Sequence, residues 1–272
     1  MHLVATPIGN LGDLSPRALT TLRDADLVVC EDTRVTAKLL GLAGAGRRLE
    51  RYDDHNAAEA RPRILERLRA GDVVALASDA GTPLVSDPGY KLVRAAIDAG
   101  IEVFAVPGPS AALAALAVSG LPTDRFFVQG FLPASGGSRR RALADLGRVP
   151  ATLVIFEAAP RLAATLESLL AALGPRPAAV TRELTKRFEE VRRGDLEQLA
   201  RHYRTAGPPR GEIAIVVGPP PDEIAVDDRV VEERLQAALE RLPVSAAAAE
   251  VAAATGVPRR EAYRRALALK QS

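Results

Sequence analysis

The chain has 272 residues, 47% of them hydrophobic, and a formal net charge of +2 at pH 7. This length and composition are sufficient for two packed cores, so two domains are the expectation before any motif is considered. The nearly neutral charge lacks the excess of basic residues that is typical of nucleic-acid-binding proteins, so any such surface has to come from a local cluster.

The cysteine and histidine content excludes several classes of site. Cys30 is the single cysteine, which excludes an intrachain disulfide and a cysteine-rich metal site. His2, His55 and His202 lack a metal-ligand spacing, so no metal is expected. No basic region precedes an apolar N-terminal segment, and no apolar run approaches the roughly 20 residues of a membrane-spanning helix. We therefore expect a soluble, cytoplasmic protein.

The first two predicted units each begin with a short apolar strand. Leu3–Thr6 breaks at the turn Pro7–Asn10, and Ser15-Pro16 is then typical of the start of a helix. Leu27–Cys30 is the second strand, and it ends in the polar run Glu31–Arg34. Because ligands of open α/β sheets bind at the carboxyl ends of strands, this run is a candidate edge of a site. Its threonine is equally a candidate N-cap of the helix that follows.

The next two units carry bends rich in small residues. Val73–Ala77 is an apolar strand that ends in Ser78–Pro83, and Asp87-Pro88 predicts the N-cap and first residue of the following helix. Ile101–Val106 runs into a second tight bend, Pro107–Ser110. A bend of this kind lets a ligand approach the backbone closely.

The repeated strand–bend–helix pattern predicts a parallel α/β domain over residues 1–120. A second α/β domain with mixed strands is expected over residues 121–221, and a small helical segment over residues 222–272. The apolar runs that predict strands of the second domain are Phe126–Phe131, Ala151–Glu157, Ala178–Arg182 and Ile213–Val217.

Basic residues cluster in two places. Ala134–Arg141 reads ASGGSRRR, which is either a solvated loop or an electrostatic grip on a phosphate backbone. Near the C-terminus, Ser245 is the predicted cap of an alanine-rich helix that ends near Gly256, and Pro258 begins another. This pattern resembles a helix-turn-helix, which either closes a small bundle or presents basic side chains to nucleic acid. Those side chains are Arg259, Arg260, Arg264, Arg265 and Lys270.

The fingerprints of several enzyme classes are missing. No G-x-G-x-x-G follows a strand, no P-loop sequence occurs, and there is no G-x-S-x-G, which disfavours a Rossmann dinucleotide site, an NTPase and an α/β-hydrolase. The bends Ser78–Pro83 and Pro107–Ser110 remain. They predict a nucleoside-type cofactor held mainly by backbone N–H and C=O groups, but they do not identify that cofactor.

An ordered set of motifs resembles the bacterial 16S rRNA (cytidine 2′-O)-methyltransferase family, within the tetrapyrrole methylase superfamily. The match extends to about Gly218, and the tail also resembles that family's C-terminal helices. The motifs are Ala5–Leu11, Glu31–Arg34, Ser78–Pro83 with Asp87–Tyr90, Pro107–Pro109, Gly120–Phe126, Gly130–Pro133 and Arg182–Lys186.

The resemblance implies two α/β domains with a cofactor cleft between them and a homodimer. It implies S-adenosylmethionine as the methyl donor and, as the substrate, the ribose 2′-hydroxyl of a cytidine in the decoding region of small-subunit rRNA. One segment departs from the family pattern F-Y-E-x-x-H-R-L, because Phe156 and Pro160 stand where a tyrosine and a histidine are usual. These two side chains cannot take part in proton transfer here.

Site residues follow from the bends and the resemblance together. A ribose hydroxyl is a poor nucleophile, so a carboxylate or imidazole is expected to remove its proton; the candidates are Asp32, Glu31 and His55. The predicted cofactor-binding residues are Pro7, Asp79, Ala80, Gly81, Thr82, Pro107, Gly108, Ser110, Phe156 and Glu157. The predicted RNA-binding residues are Arg34, Arg139, Arg140, Arg141, Arg161, Glu183 and Lys186. Asp79 is equally a candidate for shaping its own bend, and Glu183 for bracing the domain interface.

Two other functions fit parts of the sequence. A methyltransferase acting on a tetrapyrrole would share the fold, although the arginine-rich loop and basic tail disfavour it. A non-enzymatic DNA-binding regulator built on the terminal helices is the alternative from another class.

Overall fold

A computed structural model of the chain describes residues 1–42, 44, 46, 48–221 and 228–271. Its contacts divide the chain into two compact units, Met1–Gly218 and Pro219–Ser272. The first unit contains both predicted α/β halves. The boundaries predicted after residues 120 and 221 stay predictions.

The first half of the large unit is a parallel five-stranded sheet with helices between its strands. The sheet order is β3-β2-β4-β1-β5, so β1 lies between β4 and β5. The strands are β1 (His2–Val4), β2 (Leu27–Cys30), β3 (Leu49–Arg51), β4 (Val74–Ala77) and β5 (Phe104–Val106). The helices are α1 (Pro16–Asp24), α2 (Thr33–Leu42), α3 (Ala57–Arg69), α4 (Tyr90–Asp98) and α5 (Ala111–Ser119). The predicted parallel α/β fold is confirmed, with the short, partly charged β3 as an addition.

The second half is a mixed five-stranded sheet in the order β6-β7-β10-β8-β9. Its β6–β7 pair is parallel and its other pairs are antiparallel. The strands are β6 (Phe126–Phe131), β7 (Thr152–Ala158), β8 (Pro177–Arg182), β9 (Glu190–Asp195) and β10 (Glu212–Val217). The helices are α6 (Gly136–Gly147), α7 (Leu162–Leu173) and α8 (Leu196–Ala206).

Helix α5 joins the two halves through apolar packing. Successive residues of a strand face opposite sides of a sheet. Leu153 and Ile155 of β7 therefore pack with α7 and α8, whereas Val154 between them lies in a separate cluster with α5. The α5 side of that cluster is made by Ala112, Ala115 and Leu116, and the sheet side by Val154, Ala214 and Val216. Small side chains on both surfaces allow the close approach that fixes one half against the other.

Two predicted helix starts were wrong, and a third residue that the sequence left open as an N-cap is not one. Asp87 does not cap α4, which begins at Tyr90 after Gly89 as the N-cap. Gly89 has a φ of +128°, and a Cβ there would lie 2.8 Å from Leu84 Cδ2. The chain therefore turns at a glycine before the helix begins, and Asp87 instead accepts a hydrogen bond from the Ser78 hydroxyl.

The other two corrections concern α2 and α10. Thr33 is the first residue of α2, and Asp32 rather than Thr33 accepts a hydrogen bond from the Arg34 backbone N–H, at 2.9 Å. Ser245 lies inside the first turn of its helix, where Pro243 is the N-cap and makes no side-chain hydrogen bond. The run predicted as a loop over residues 134–141 is also mostly helical, since α6 begins at Gly136.

The small unit consists, in its described residues, of α9 (Asp228–Leu239), α10 (Val244–Thr255) and α11 (Arg259–Gln271). Its core is rich in alanine, with Ala247, Ala248, Ala262 and Ala266 buried against Leu235 and its neighbours. Such small residues let the three helices pack closely. Across the described residues, no helix combines the length and apolarity needed to cross a membrane.

Candidate active site

Three bends meet at one edge of the first sheet, because β4, β1 and β5 are adjacent and parallel. Thr6, after β1, exchanges two backbone hydrogen bonds with Gly81, after β4, at 2.9 and 3.0 Å. The Thr6 hydroxyl donates to the Ser78 carbonyl at 2.8 Å. The Thr82 hydroxyl donates to the carbonyl of Pro109, after β5, at 3.1 Å. These bonds hold the three bends together as one surface.

Glycine is required where the bends approach each other. Gly81 has a φ of +88°, a conformation that side chains disfavour, and a Cβ there would lie 3.4 Å from Ile8 Cγ2. A Cβ at Gly108 would lie 3.0 Å from the Cβ of Ala5. The bends therefore present backbone rather than bulky side chains at this edge.

A cleft of about 520 Å³ lies between these bends and the second sheet. This volume is in the range of pockets that hold small molecules. Phe131 and Phe156 form an aromatic part of the wall, with ring centroids 5.8 Å apart. The lining residues are Ile8, Ala80, Gly81, Thr82, Val85, Ser86, Asp87, Ser110, Ala111, Phe131, Phe156, Glu157, Ala158, Ala159, Pro160, Thr181, Leu184, Gly211, Glu212, Ile213 and Ala214.

The bend after β4 also reaches the second half of the unit. Leu84 and Ser86 are non-glycine residues with positive φ, at +71° and +64°. A Cβ at Gly130 of β6 would lie 2.8 Å from the Ser86 hydroxyl oxygen. Such backbone conformations persist only where the surroundings enforce them. Here Ser86 is held where the bend and β6 form the same wall of the cleft.

Glu157 lies at the cleft wall, and its carboxylate is already paired and hydrogen-bonded within the protein. Its side chain is buried, pairs with Arg161 at 3.1 Å, and accepts hydrogen bonds from the Thr165 hydroxyl at 2.5 Å and the Ala158 N–H at 2.8 Å. Burying a carboxylate is costly unless it is paired and hydrogen-bonded, as it is here. The structure therefore gives Glu157 the task of fixing the turn at Ala158–Arg161.

Lys186 and Glu183 form a second internal network beside the cleft. Lys186 Nζ lies 2.9 Å from Glu183 Oε1 and 2.8 Å from Glu212 Oε2. The hydrogen bond from Lys186 lowers the pKa of Glu183. Burial lowers the pKa of Lys186, but its hydrogen bonds to Glu212 and Glu183 outweigh that effect, and the pKa is raised overall. Both groups stay charged at neutral pH.

The same network connects the two halves. A Cβ at Gly9 would overlap the side chain of Lys186, so Lys186 lies directly over the turn that follows β1. Glu183 and Thr185 have positive φ, at +50° and +66°, which marks a constrained loop. Glu183 holds Lys186 in this position through its ion pair, and its role as an RNA contact or as a brace of the interface stays a prediction.

Glu31, Asp32 and His55 are the candidates for removing the hydroxyl proton. None of them is among the described residues that line the cleft. Asp32 forms a two-point ion pair with Arg34, with atoms 2.6 and 3.0 Å apart, and these hydrogen bonds lower the pKa of Asp32 to about 2. Burial and the neighbouring Asp79 raise the pKa of Glu31. His55 is exposed, and its backbone N–H donates to Asp53.

Asp87 is a cleft residue that the sequence reasoning missed, because it was assigned to a helix cap. Burial raises the pKa of Asp87, and the nearby charge of Asp79 raises it further, while the hydrogen bond from Ser78 opposes the shift. Asp79 itself accepts the Asp32 N–H at 3.1 Å and so links two bends. The signal that could have pointed to Asp87 is its place in the family motif Asp87–Tyr90.

The predicted cofactor-binding residues divide into two groups. Six line the cleft: Ala80, Gly81, Thr82, Ser110, Phe156 and Glu157. The other four, Pro7, Asp79, Pro107 and Gly108, belong to the bends without lining it. The residues missed in β8 and β10, such as Thr181 and Ala214, looked like ordinary buried strand positions. Periodicity cannot tell which face of a strand meets a cleft.

The predicted RNA-binding arginines also differ in their surroundings. Arg139 donates to the Pro133 carbonyl and the Thr165 hydroxyl, both at 3.0 Å, and Arg161 pairs with Glu157. These two guanidinium groups brace the second half. Arg140 and Arg141 are exposed, and Arg34 is exposed beside Asp32.

Comparison with known proteins identifies the family. A model of the Tetrapyrrole (Corrin/Porphyrin) Methylases matches residues 1–200, and one of the RsmI C-terminal HTH domain matches residues 225–270. Over its full length, the chain is 53% identical to Ribosomal RNA small subunit methyltransferase I of Mesorhizobium japonicum, covering 92% of that protein. The chain belongs to the ribosomal RNA small subunit methyltransferase I family. The family member of Erythrobacter litoralis is 52% identical, with 99% of this chain and 95% of that protein covered.

Solved structures agree with this family on the fold. Uroporphyrin-III C-methyl transferase from Thermus thermophilus, complexed with S-adenyl homocysteine, matches with a TM-score of 0.55 and 27% identity, covering 80% of this chain and 96% of that one. A cobalt precorrin-4 methyltransferase matches with a TM-score of 0.58 and 19% identity, covering 80% and 93%. The predicted family, fold class and methyltransferase activity are confirmed.

Thr82→Val tests whether the bonded bends form the cofactor site. The variant loses the hydroxyl that donates to Pro109 while keeping the side-chain shape, and one such bond is worth about 1 kcal/mol. We expect the Kd for S-adenosylhomocysteine to rise about fivefold in isothermal titration calorimetry. Thr205→Val removes a comparable bond, to the Arg201 carbonyl on the solvent-facing side of α8, and should leave Kd unchanged. Equal affinities in both variants would show that the bend contact is irrelevant to binding.

Asp79→Asn tests whether burial behind the bends raises the pKa of this carboxyl group. Burial raises the pKa of Asp79 above its ordinary 3.8, so the folded protein binds this proton more tightly than the unfolded chain does. The free energy of unfolding therefore falls as the pH rises from the ordinary value through the raised one. The amide removes that titration but can still accept the Asp32 N–H, so we expect a smaller fall in urea unfolding measured across this range. Asp98→Asn, at an exposed residue of α4, is the control, and a pH dependence identical to wild type in the Asp79 variant would contradict the assignment.

Proposed function

We propose that the protein transfers a methyl group from S-adenosylmethionine to the ribose 2′-hydroxyl of a cytidine in the decoding region of small-subunit rRNA. The observation that carries this proposal is the cleft formed where three hydrogen-bonded bends face the second sheet. The names of the relatives support the rRNA substrate. The S-adenosylhomocysteine complex of a structural neighbour supports the cofactor.

The residues of the cleft suit a nucleoside with a sulfonium group. The glycines at positions 81 and 108 leave backbone free at the edge of the bends, since Gly81 has a φ of +88° and a Cβ at Gly108 would lie 3.0 Å from the Cβ of Ala5. Backbone groups of Ala80–Thr82 and the side chain of Ser110 would hold the polar parts of S-adenosylmethionine, and Phe131 and Phe156 would hold apolar ones. The bound cofactor supplies an activated methyl group, so the protein's main task is to align the acceptor oxygen.

Removal of the hydroxyl proton is assigned to Asp87. It lines the cleft, unlike Glu31, Asp32 and His55, and burial raises its pKa. A general base works best when its pKa lies near the working pH, so a raised carboxyl suits this role better than Asp32, whose pKa is about 2. Asp32 instead orders the start of α2, with Arg34 beside it.

The exposed arginines are assigned to the RNA backbone. Arg34, Arg140 and Arg141 would neutralise phosphates and position the rRNA without reading its sequence. The network of Lys186 with Glu183 and Glu212 keeps the second half in place beside the cleft. The enzyme acts in the cytoplasm, where small ribosomal subunits are found.

Transfer of label from S-adenosylmethionine tests the function directly. Small ribosomal subunits that lack the modification, and a tetrapyrrole acceptor, are incubated in parallel with the full-length protein. We expect label only in the rRNA, at a cytidine whose 2′-oxygen is found methylated when the nucleotide is mapped by mass spectrometry. Label in the tetrapyrrole alone would replace this proposal with a small-molecule methyltransferase.

Asp87→Asn separates catalysis from binding. General base catalysis typically contributes 10²–10⁴-fold, so we expect kcat to fall by at least about 10²-fold. The amide still accepts a hydrogen bond from Ser78, so the Kd for S-adenosylhomocysteine should be unchanged. Asp32→Asn is the matched variant and should retain most of the turnover. A pH–rate profile that loses its acidic limb only in the Asp32 variant would return the role to Asp32.

A homodimer is proposed as the working assembly. The edge strands β5 and β6 carry the exposed aromatic side chains Phe104, Phe126 and Phe127. Exposed aromatic residues are enriched where proteins associate. Light scattering should give twice the chain mass for the wild type, and Phe126→Glu with Phe127→Glu should reduce it to one chain. Leu42→Glu, at another exposed apolar residue, is the control, and a wild-type mass of one chain would refute the dimer.

A further inference from the structure

Helix α11 presents a mixed basic and aromatic face to solvent. Arg260, Tyr263, Arg264 and Leu267 follow one another at helical spacing and so lie on one side of the helix. We call these four residues the α11 face. All four are exposed, with Tyr263 at 42% and Leu267 at 38%. They line a shared surface depression, together with Pro258 and Glu261.

The opposite side of α11 explains why this face is left outside. Ala262 and Ala266 are fully buried in the core of the small unit, and Leu269 packs against it. These residues orient the helix, so the α11 face has to point away from α9 and α10. Packing of the opposite side of α11 therefore keeps Tyr263 and Leu267 exposed to solvent beside the arginines.

The charges on α11 are strongly one-sided. Five of its side chains are basic and one, Glu261, is acidic. Glu261 is already engaged by Arg264, at 2.6 Å, and Arg265, at 2.8 Å, and hydrogen bonds from these arginines hold its pKa at about 2. Among the described side chains of residues 229–270, no carboxylate forms an ion pair with Arg259 or Arg260. The surface keeps a net positive charge after its internal ion pairs are formed.

We propose that the α11 face is a second RNA-binding surface, distinct from the methyl-transfer cleft, which takes an unpaired segment of rRNA. Arg260 and Arg264 contact phosphates, and Tyr263 stacks on an exposed base. The proposal rests on the proposed function for the identity of the RNA as that of the small subunit. Its effect is to hold the substrate particle through a contact that takes no part in the chemistry.

The composition of the face favours RNA over a protein partner. Unpaired RNA is recognised by guanidinium groups on the phosphates together with aromatic rings on the bases. The chain has no tryptophan and only four tyrosines, and one of these tyrosines is exposed between two arginines on this helix. Every nucleotide of unpaired RNA offers both groups that this face would bind, a phosphate for the arginines and a base for the ring of Tyr263.

Binding of the full-length protein to protein-free small-subunit rRNA and to purified small subunits tests the proposal. Arg260→Glu with Arg264→Glu should weaken binding to both at least tenfold. The slope of log affinity against log salt concentration should decrease by about 2, because about one counterion is released per phosphate contact. Tyr263→Ala should weaken binding by about fivefold or more without changing that slope, because stacking of one base is worth about 1–3 kcal/mol.

A matched pair of arginines provides the control. Arg201 and Arg204 on α8 each have a side chain that is 66% exposed and paired with a glutamate, and Arg264 is likewise exposed and paired. Arg201→Glu with Arg204→Glu makes the same change in net charge and should leave binding as in the wild type. An unchanged melting temperature and an unchanged Kd for S-adenosylhomocysteine show that each variant is folded.

The outcomes separate this proposal from its alternatives. If the α11 variant binds rRNA as the control variant does, the proposal is overturned. If binding falls for assembled subunits but not for protein-free rRNA, the partner is a ribosomal protein and the proposal is again overturned. Weaker rRNA binding with no methylation of subunits by the wild type would refute the proposed function and leave the α11 face as an RNA-binding surface. In a methylation assay, the α11 variant should raise KM for subunits and leave kcat unchanged.

Discussion

The paired backbone hydrogen bonds between Thr6 and Gly81 are the constraint on which the candidate site depends. They join the chain after β1 to the chain after β4, and the Thr82 hydroxyl extends the connection to the bend after β5. Each bend alone is a short loop that would sample many conformations. Bonded to one another, the three form a surface with fixed N–H and C=O directions. Little conformational entropy of the bends is therefore lost when a ligand binds.

The second half of the cleft depends on apolar packing rather than hydrogen bonds. Helix α5 belongs to the first half by sequence, yet its small side chains are buried against Val154, Ala214 and Val216 of the second sheet. Ser110 at the start of α5 caps the helix by accepting the Leu113 N–H, and it also lines the cleft. The element that joins the halves therefore also places a polar group of the site, so a shift in this packing would move both walls.

Many charged residues near the cleft complete internal networks instead of facing a ligand. Glu157 holds its turn through Thr165 and Arg161, and Lys186 pairs with Glu183 and Glu212. Charged groups close to a low-dielectric wall are costly unless they are paired, so pairing is the expected state for most of them. Asp87 differs, because its hydrogen bond comes from a neutral hydroxyl and burial raises its pKa. Under the proposed mechanism, this difference in surroundings is what suits Asp87, rather than Glu157, to accept a proton.

The sequence by itself determined the family, because the motifs occur in the family's order along the chain. It also determined the parallel first half and the mixed second half, because the alternation of apolar strands, bends and helices is a local property of the sequence. It also predicted the bends at Ser78–Pro83 and Pro107–Ser110, parts of which line the cleft. Only the tertiary structure decided the hydrogen-bond partners of individual side chains. Asp87 looked like a helix cap until Gly89 took that position, and the Arg139 guanidinium, predicted to contact RNA, was found donating hydrogen bonds to the Pro133 carbonyl and the Thr165 hydroxyl. The physical reason is that a hydrogen-bond partner distant in sequence leaves no local pattern, whereas burial, pairing and pKa are all set by such partners.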